Sequence, residues 1–290
     1  STSAGYAIND RGDEGTEILL RNADLALSRA RTSPHVELMR FEHHMHDALL
    51  MRVRAERELR QAFENNEFVM HFQPIVKLPS RRIVGAEALL RWQHPERGVL
   101  SAYQFIEQID DLGLGGELRA LAVDRAVAAL AAISKDHPYV NDFNLSFNVS
   151  ADQLTAQLLA DVSSALETHG APPGNLTVEV TESSIASVQE ATSVLEDLHA
   201  CGLKIAIDDF GVGYSSLGYL AHFPVDYIKI DRSFVQGIDA KAQLEKLTEA
   251  IVVLGEALNL PPVVEGVETD AELEVLMNAG ARYAQGWLFA

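Results

Sequence analysis

Polar side chains recur at or near the ends of successive apolar runs in the second part of this chain. These residues are Glu87, Asn148, Glu179, Asp208, Asp209, Lys229, Glu265 and Gln285. Burying several carboxylates near one another raises their pKa values and costs on the order of several kcal/mol unless cations neutralise them. A single lysine cannot neutralise so many carboxylates, so we expect divalent cations among them.

The predicted ligands are all oxygen atoms, from carboxylates and one asparagine. Such a set favours hard ions such as Mg²⁺ or Mn²⁺ over Zn²⁺. The adjacent pair Asp208 and Asp209 indicates two ions, because one carboxylate can bridge two metals while its neighbour binds the second. Adjacent strand residues point to opposite faces, so one of the pair must lie where the strand has turned. Gly211 and Gly213 permit such a turn.

Two neighbouring divalent ions could clamp the attacking and leaving oxygens of a phosphodiester and lower the pKa of a bound water. The pattern therefore favours hydrolysis of a small anionic phosphodiester. A metal-dependent lyase of the enolase kind also pairs strand-end carboxylates with a lysine, and it stays an alternative at this point. The Asp208–Asp209 pair favours hydrolysis.

The elements that position these residues alternate between short apolar runs and longer helical patterns from about Glu67 onward. Eight consecutive βα units favour a closed α/β barrel over an open doubly wound sheet, and barrel active sites lie at the carboxyl ends of the strands. The predicted strands are Val69–Val76, Ile83–Trp92, Leu145–Ser150, Leu176–Glu182, Leu203–Phe210, Val225–Asp231, Pro262–Glu268 and Ala281–Phe289. The predicted helices include Leu118–Ile133, Ala151–His169, Ser184–Cys201 and Leu244–Leu258.

Local signals mark several helix ends. Ser150 and Thr269 are predicted N-caps, while Gly170, Gly202 and Gly280 stand where helices should end. The segment before Glu67 instead has two helical patterns without barrel-type strands. These patterns are Thr16–Arg31 and Phe41–Phe63.

Composition excludes several classes of partner. The 290 residues carry a formal charge of −19, which opposes binding to polymeric nucleic acid. The longest nearly apolar stretch, Leu121 to Ile133, is interrupted by charges and is too short to span a bilayer. No secretory signal is visible, and the single Cys201 cannot form an intrachain disulfide. We therefore expect a cytoplasmic protein, with no membrane contact from this segment.

Eight sequence blocks, in order and at strand spacing, resemble the EAL phosphodiesterases of bacterial cyclic di-GMP signalling. The resemblance covers roughly Leu59 to Phe289. The blocks are HFQPIV at 71–76, GAEALLRW at 85–92, SFNVS at 146–150, VEVTES at 178–183, IDDFGVGYSSL at 207–217, YIKIDRSFV at 227–235, VVEGVET at 263–269 and QGWLF at 285–289. It implies a TIM-like barrel with an antiparallel first strand and hydrolysis of cyclic di-GMP to linear pGpG.

The resemblance also implies individual roles. The implied metal ligands are Glu87, Asn148, Glu179, Asp208, Asp209 and Glu265, for two Mg²⁺ or Mn²⁺ ions. The implied catalytic and supporting residues are Lys229 and Glu265 beside the attacking water, Glu268 near it, and Glu182 steadying the loop 210–216. The implied substrate-side residues are Gln73, Arg91, Gln285 and Asp209. Val212 departs from the small polar residue that many relatives have.

The remaining expectations concern organisation and partners. Residues 23–31 resemble the tail of a GGDEF diguanylate cyclase domain, without its signature loop, so we predict no cyclase activity here. We expect a GGDEF-like remnant at 1–45, a linker helix at 46–66 and an EAL barrel at 67–290. A homodimer and an upstream GGDEF or sensor domain are also expected. A barrel that binds cyclic di-GMP without cutting it is the main rival, although intact Lys229 and Glu265 disfavour it.

Overall fold

The computed structural model describes residues 3–9, 15–32, 38–136, 143–187, 189–212 and 223–289. The chain divides into two compact units, Ser1–Glu67 and Phe68–Ala290. The predicted boundaries at 45, 46 and 66 between a cyclase-like remnant, a linker helix and a barrel stay predictions.

The first unit combines two short strands with two helices. Its elements are β1 (Ala4–Tyr6), α1 (Thr16–Thr32), β2 (Leu38–Arg40) and α2 (His43–Glu64). Strands β1 and β2 pair in parallel. A Cβ on Gly5 would lie 2.0 Å from the backbone nitrogen of Leu27, so β1 packs on α1 through a glycine. The two predicted helices are thus present, and the two short strands were not predicted.

The second unit is built around a sheet of nine strands. They are β3 (Phe68–Lys77), β4 (Arg82–His94), β5 (Gly98–Ser101), β6 (Asn144–Val149), β7 (Leu176–Thr181), β8 (Lys204–Phe210), β9 (Tyr227–Ile230), β10 (Pro262–Val264) and β11 (Tyr283–Gln285). Their order is β3-β11-β10-β9-β8-β7-β6-β4-β5, and β3 also pairs with β4. Within the described ranges, eight of the strands therefore close into a barrel, and β5 extends β4 outside it.

Strand direction confirms the predicted fold class. The strands from β6 to β11 pair in parallel around the barrel. Strand β3 runs antiparallel to both of its neighbours, β11 and β4. The architecture is an α/β, TIM-like barrel with an antiparallel first strand.

Helices surround the barrel. They are α3 (Ile106–Asp111), α4 (Gly115–Asp136), α5 (Ala156–His169), α6 (Glu182–Ser187), α7 (Gln189–Ala200), α8 (Ala242–Ala257) and α9 (Asp270–Asn278). The main apolar core lies between these helices and the outward faces of the strands, with Leu130, Leu158, Leu198 and Leu276 buried in it. Several predicted ends are correct: Thr269 caps α9 by accepting from the Glu272 N–H at 3.2 Å, and Gly170 ends α5 in the left-handed conformation.

The structure corrects some predicted boundaries. Strand β5 was not predicted, and the last two strands are only three residues long. The predicted helix Ala151–His169 is a 3₁₀ turn at Ala151–Gln153 followed by α5, and the turn begins at the predicted cap Ser150. The predicted helix Ser184–Cys201 is helical over Glu182–Ser187 and Gln189–Ala200. Apolar periodicity identifies these segments but does not fix where a hydrogen-bonding pattern changes.

None of the helices in the part of the chain described here combines the length and apolar character that a membrane crossing requires. The predicted cytoplasmic location is a separate statement and stays a prediction.

Candidate active site

A buried lysine lies at the centre of the predicted site. Lys229, on β9, is only 2% exposed. Its Nζ lies 2.6 Å from Glu179 Oε2, 2.5 Å from Glu265 Oε1, 3.1 Å from Glu87 Oε2 and 3.4 Å from Asp208 Oδ1. Four carboxylates from β4, β7, β8 and the end of β10 therefore converge on one ammonium group.

Amide side chains hold Glu87 from its other side. Asn148 Nδ2 donates to Glu87 Oε1 at 2.5 Å, and Gln285 Nε2 donates to Glu87 Oε2 at 2.7 Å. The same Gln285 amide group donates to Gln73 Oε1 at 2.8 Å. Residues from seven strands, β3, β4, β6, β7, β8, β9 and β11, thus form one network with Lys229. It lies toward the carboxyl ends of the parallel strands, where barrel active sites lie.

Electrostatics separate the roles of Lys229 and Glu87. Burial would lower the pKa of Lys229, but the charges of Glu179, Glu265, Glu87 and Asp208 outweigh it and raise this pKa well above the usual value. Burial would also raise the pKa of Glu87, but the Lys229 charge and hydrogen bonds from Gln285, Lys229 and Asn148 outweigh it and lower this pKa. Lys229 is therefore a cation and Glu87 a carboxylate at neutral pH.

The other carboxylates are short of positive charge. Burial raises the pKa of Glu179 well above its usual value despite Lys229, and the neighbouring carboxylates add to the rise. Burial likewise raises the pKa of Glu265 to about 7, again against the pull of Lys229 and with repulsion from Asp208 and Glu87. A cluster of four acidic groups around one lysine would take up further positive charge.

The Asp208–Asp209 pair lies at an irregularity within β8, rather than where the strand has already turned as predicted. The register between β8 and β9 shifts between Ile207 and Phe210. Asp209 takes a left-handed conformation with φ of 53°, and its N–H donates to Asp208 Oδ1 at 3.0 Å. Asp208 therefore points towards Lys229, whereas Asp209 is exposed. Partial burial, then repulsion from Asp208 and Asp231, raises the pKa of Asp209.

The loop after β8 is held by a carboxylate at its first residues. Glu182 Oε2 accepts from the Gly211 N–H at 3.3 Å. Gly211 has φ of 96°, and a Cβ there would lie 2.9 Å from the Phe234 ring. Val212, where the family resemblance departs, is exposed. Gly213 and the rest of the predicted loop up to Ser216 lie outside the described residues.

The predicted site residues Arg91 and Glu268 lie outside the lysine cluster, which consists of Lys229 and the four carboxylates that contact it. Arg91 is half-buried, and its guanidinium donates to the Leu90 carbonyl at 2.9 Å. Glu268 is exposed, and its backbone N–H donates to Glu272. One further carboxylate was missed, Asp231, whose charge acts on Asp209. Asp231 follows β9 directly, two residues after Lys229, and its position at the end of this strand was the available signal.

The donor set fits hard divalent ions, although the carboxylates currently face Lys229. Glu265 Oε1 is buried and pairs with Lys229 Nζ at 2.5 Å, and the buried Gln285 Oε1 has no hydrogen-bond partner among the described residues. Such buried oxygens suit a cation that accepts oxygen ligands. Yet no group of three or more His, Cys, Asp or Glu side chains in the described ranges is already arranged to hold a metal. The two predicted ions therefore remain a prediction.

A closed barrel whose strand ends gather carboxylates around a buried lysine is the architecture of an α/β-barrel enzyme with an acidic site. The family model described as the EAL domain matches residues 56–290. The chain belongs to the EAL domain family, whose members depend on divalent metal ions.

Named relatives agree with this membership. The bifunctional diguanylate cyclase/cyclic di-GMP phosphodiesterase MucR of Pseudomonas aeruginosa is 37% identical over 99% of this chain and 42% of its own length. The cyclic di-GMP phosphodiesterase NbdA of the same species is 33% identical over 100% of this chain and 37% of its own. The chain thus spans about two fifths of these relatives. A solved structure of the PaMucR phosphodiesterase in complex with c-di-GMP is 38% identical, with a TM-score of 0.77 over 82% of this chain and 96% of that one.

Proposed function

We propose that this chain is a divalent-metal-dependent phosphodiesterase that hydrolyses cyclic di-GMP to linear pGpG. The observation that carries the proposal is the convergence of four carboxylates on Lys229 at the carboxyl ends of the strands. The EAL family membership and the phosphodiesterase relatives support the choice of substrate. The enolase-like alternative loses support, because the family comparison points to phosphodiester chemistry.

The residues proposed to hold the ions are Glu87, Asn148, Glu179, Asp208, Asp209 and Glu265. When bound, such ions supply charge neutralisation for the phosphate and lower the pKa of a water. Glu87 is best prepared for this role, because its lowered pKa keeps it ionised and two amides fix its orientation. The identity of the ions as Mg²⁺ or Mn²⁺, and their number, belong to this proposal.

Lys229 and Glu265 are proposed to handle the attacking water. Lys229 stays protonated, because its pKa is raised, so it can donate hydrogen bonds but cannot accept a proton at neutral pH. Glu265, whose Oε1 lies 2.5 Å from Lys229 Nζ, is proposed to bind an ion or to accept the proton of the water beside it. In the latter case the neighbouring pair divides the work: one side chain orients the water and the other removes its proton.

Several residues on the rim of the cluster are proposed to contact the dinucleotide or support the site. Arg91 presents a planar cation suited to a phosphate, although its guanidinium also donates to Leu90. Gln73 and Gln285 form a hydrogen-bonded pair from which amide groups can meet the substrate. The exposed Glu268 remains a candidate supporting residue near the water.

The decisive experiment is hydrolysis of cyclic di-GMP by this chain with added Mg²⁺ or Mn²⁺, followed by chromatography. The expected result is pGpG that forms with metal and disappears when EDTA removes it. Binding of cyclic di-GMP without pGpG would instead assign the chain as a receptor. A homodimer and an upstream GGDEF or sensor domain remain further proposals, for which light scattering and the full-length protein are the tests.

A further inference from the structure

The barrel contains a cavity of about 360 Å³. It lies beneath the carboxylates around Lys229, on the side away from the carboxyl ends of the parallel strands. Its lining includes the first residues of several strands: Arg82 on β4, Asn144 on β6, Lys204 on β8, Tyr227 on β9 and Tyr283 on β11. Lys77, the last residue of the antiparallel β3, belongs to the same rim. The cavity therefore belongs to the amino-terminal end of the barrel.

Small side chains create this space. TIM-type barrels are ordinarily filled by layers of bulky branched residues. Here the layer below the cluster contains Gly85, Ser146, Thr177 and Ala206, all of which line the cavity. A Cβ on Gly85 would lie 2.6 Å from the Asn144 carbonyl oxygen, so no larger residue fits there. The volume lies in the range of small-molecule sites.

The charge of the cavity opposes that of the whole chain. Its described lining carries four cations, Lys77, Arg82, Lys204 and Lys229, and one carboxylate, Glu179. Glu179 is engaged with Lys229, which leaves three cations. This surplus occurs in a chain with a net charge of −19. Such a cavity attracts anions.

Two uncharged hydrogen-bond partners orient the Lys204 side chain in the cavity. Lys204 Nζ donates to Asn144 Oδ1 at 2.9 Å and to Tyr227 Oη at 3.0 Å. Neither partner carries a negative charge, and Lys77, Arg82 and Lys204 form no ion pair within the ranges that the structure describes. The ammonium group is thus positioned but electrically uncompensated.

Two buried hydroxyls in the cavity also lack partners. Ser146 and Thr177 are each only 4% exposed, and they lie opposite each other on β6 and β7. Among the described atoms, neither Ser146 Oγ nor Thr177 Oγ1 has a hydrogen-bond partner. Buried hydroxyls ordinarily form a hydrogen bond, so this pair can donate to a group bound in the cavity. Hydroxyls beside uncompensated cations are suited to an oxyanion.

We propose that the amino-terminal end of the barrel is a second binding site, for a small phosphate- or carboxylate-bearing anion. Lys204, Arg82 and Lys77 supply the positive charge, and Ser146 and Thr177 supply hydroxyl donors. The cavity shares Lys229 and Glu179 with the acidic cluster, but the residues proposed to bind the anion belong to the amino-terminal end alone, so the proposal does not depend on the proposed phosphodiesterase activity.

The test is a titration of protein labelled with ¹³C at alanine methyl groups, with inorganic phosphate in one series and succinate in another. Chloride keeps the ionic strength constant. Ala206 lines the cavity, so its methyl signal should shift and saturate at millimolar anion. A response to phosphate alone or succinate alone identifies the preferred anion. No saturable shift with either anion overturns the proposal.

Variants locate the binding. Lys204→Met should weaken it by about tenfold or more, because a hydrogen bond to a charged group is lost. Thr177→Val should weaken it several-fold without destabilising the fold, because it removes a hydroxyl that has no protein partner. Lys246→Met, the same charge change on the exposed face of α8, is the matched control. Equal anion affinities in the parent chain and all three variants contradict the proposal. Thermal melting curves identify any variant that fails to fold.

Discussion

The two ends of the barrel interior differ in charge, although the same strands form both. On β7, Thr177 lines the cavity, and Glu179, two residues later, borders it and also joins the acidic cluster. On β9, Tyr227 contacts Lys204 in the cavity, and two residues later Lys229 contacts the carboxylates. One step along the inward face of a strand thus separates two chemical environments.

This difference teaches that inward-facing positions of the barrel are not equivalent packing sites. At the carboxyl end, carboxylates crowd around one lysine and two of their pKa values rise. At the amino end, cations and hydroxyls face a space that small residues leave open. If the two ends act independently, a substitution at one end should leave the activity of the other unchanged.

The largest effect is expected from Glu87→Ala at the acidic end. It removes a proposed metal ligand and the acceptor for Lys229, Asn148 and Gln285. Loss of several kcal/mol of transition-state stabilisation lowers kcat by about three orders of magnitude or more. Asp208→Ala should act similarly. Hydrolysis of cyclic di-GMP, followed by chromatography, measures this.

The matched control for Glu87→Ala is Glu249→Ala, which removes an exposed carboxylate from α8. It should retain full turnover. Retained turnover in Glu87→Ala would refute the assignment of the acidic end as the active site.

The next effect compares one lysine from each end. Lys229→Ala should lower kcat by about 10²- to 10⁴-fold, the range for loss of a group that handles a proton or water. The affinity for cyclic di-GMP should change less. Lys204→Ala, in the cavity, should leave kcat unchanged. Steady-state kinetics and calorimetric binding separate these quantities.

Equal losses of kcat in Lys229→Ala and Lys204→Ala would show that the two ends of the barrel do not act independently. A thermal melt of each protein distinguishes lost chemistry from lost folding, because breaking a buried ion pair destabilises strongly.

A third prediction concerns pH and metal. Glu265 has a pKa of about 7 in the folded chain against 4.5 normally, because burial outweighs the attraction of Lys229. The folded state then binds more protons than the unfolded state between these values, so stability falls as pH rises from about 4.5 to 7. The loss is about 3 kcal/mol at most. Glu179 acts in the same direction and Glu87 in the opposite one.

Urea denaturation in EDTA at several pH values measures this loss. Glu265→Gln should reduce the slope of the unfolding free energy against pH. Added Mg²⁺, in place of EDTA, should reduce the same slope in the parent chain. A slope that is unchanged by both would contradict the view that the acidic end is short of positive charge.

The smallest expected effect concerns Glu272, a carboxylate that stabilises the fold and has no part in the proposed reaction. Glu272 accepts backbone N–H groups from Glu268 at 3.0 Å, Thr269 at 3.1 Å and Gly237 at 3.2 Å. Burial would raise its pKa, but these hydrogen bonds outweigh it and lower the pKa. The stabilisation is present above about pH 4.5 and is lost as pH falls through the lower folded pKa. Glu272→Gln should cost about 1 kcal/mol at neutral pH and less in acid.

Denaturation of Glu272→Gln beside Glu274→Gln, an exposed neighbour on α9, checks this difference. A loss of stability that does not depend on pH would mean that packing, rather than the ionised carboxylate, explains it.

Much of the fold was predictable from local pattern. The eight apolar runs correspond to the eight barrel strands, because alternating inward and outward positions leave a periodic trace in the sequence. Strand β5 escaped prediction, since Gly98–Ser101 is short and pairs only with the outer part of β4.

The identity of the acidic site residues was predictable from the sequence, whereas several of their contacts were not. The sequence identified Glu87, Glu179, Asp208 and Glu265 as strand residues that should meet. It did not reveal that all four face Lys229, or that Glu268 is exposed. One residue of the Asp208–Asp209 pair was expected where the strand had already turned, and the structure instead has an irregularity within β8, where Asp209 takes a positive φ.

The sequence by itself determined which strands exist, which of their faces carry polar groups and which family the blocks resemble. Only the tertiary structure decided that Lys229 lies among carboxylates from four chain segments, and that the small residues Gly85, Ser146, Thr177 and Ala206 leave a cavity beneath them. The physical reason is that contacts across a barrel, and the space left between side chains, depend on strand register and closure. Each of these joins residues that lie far apart in the chain.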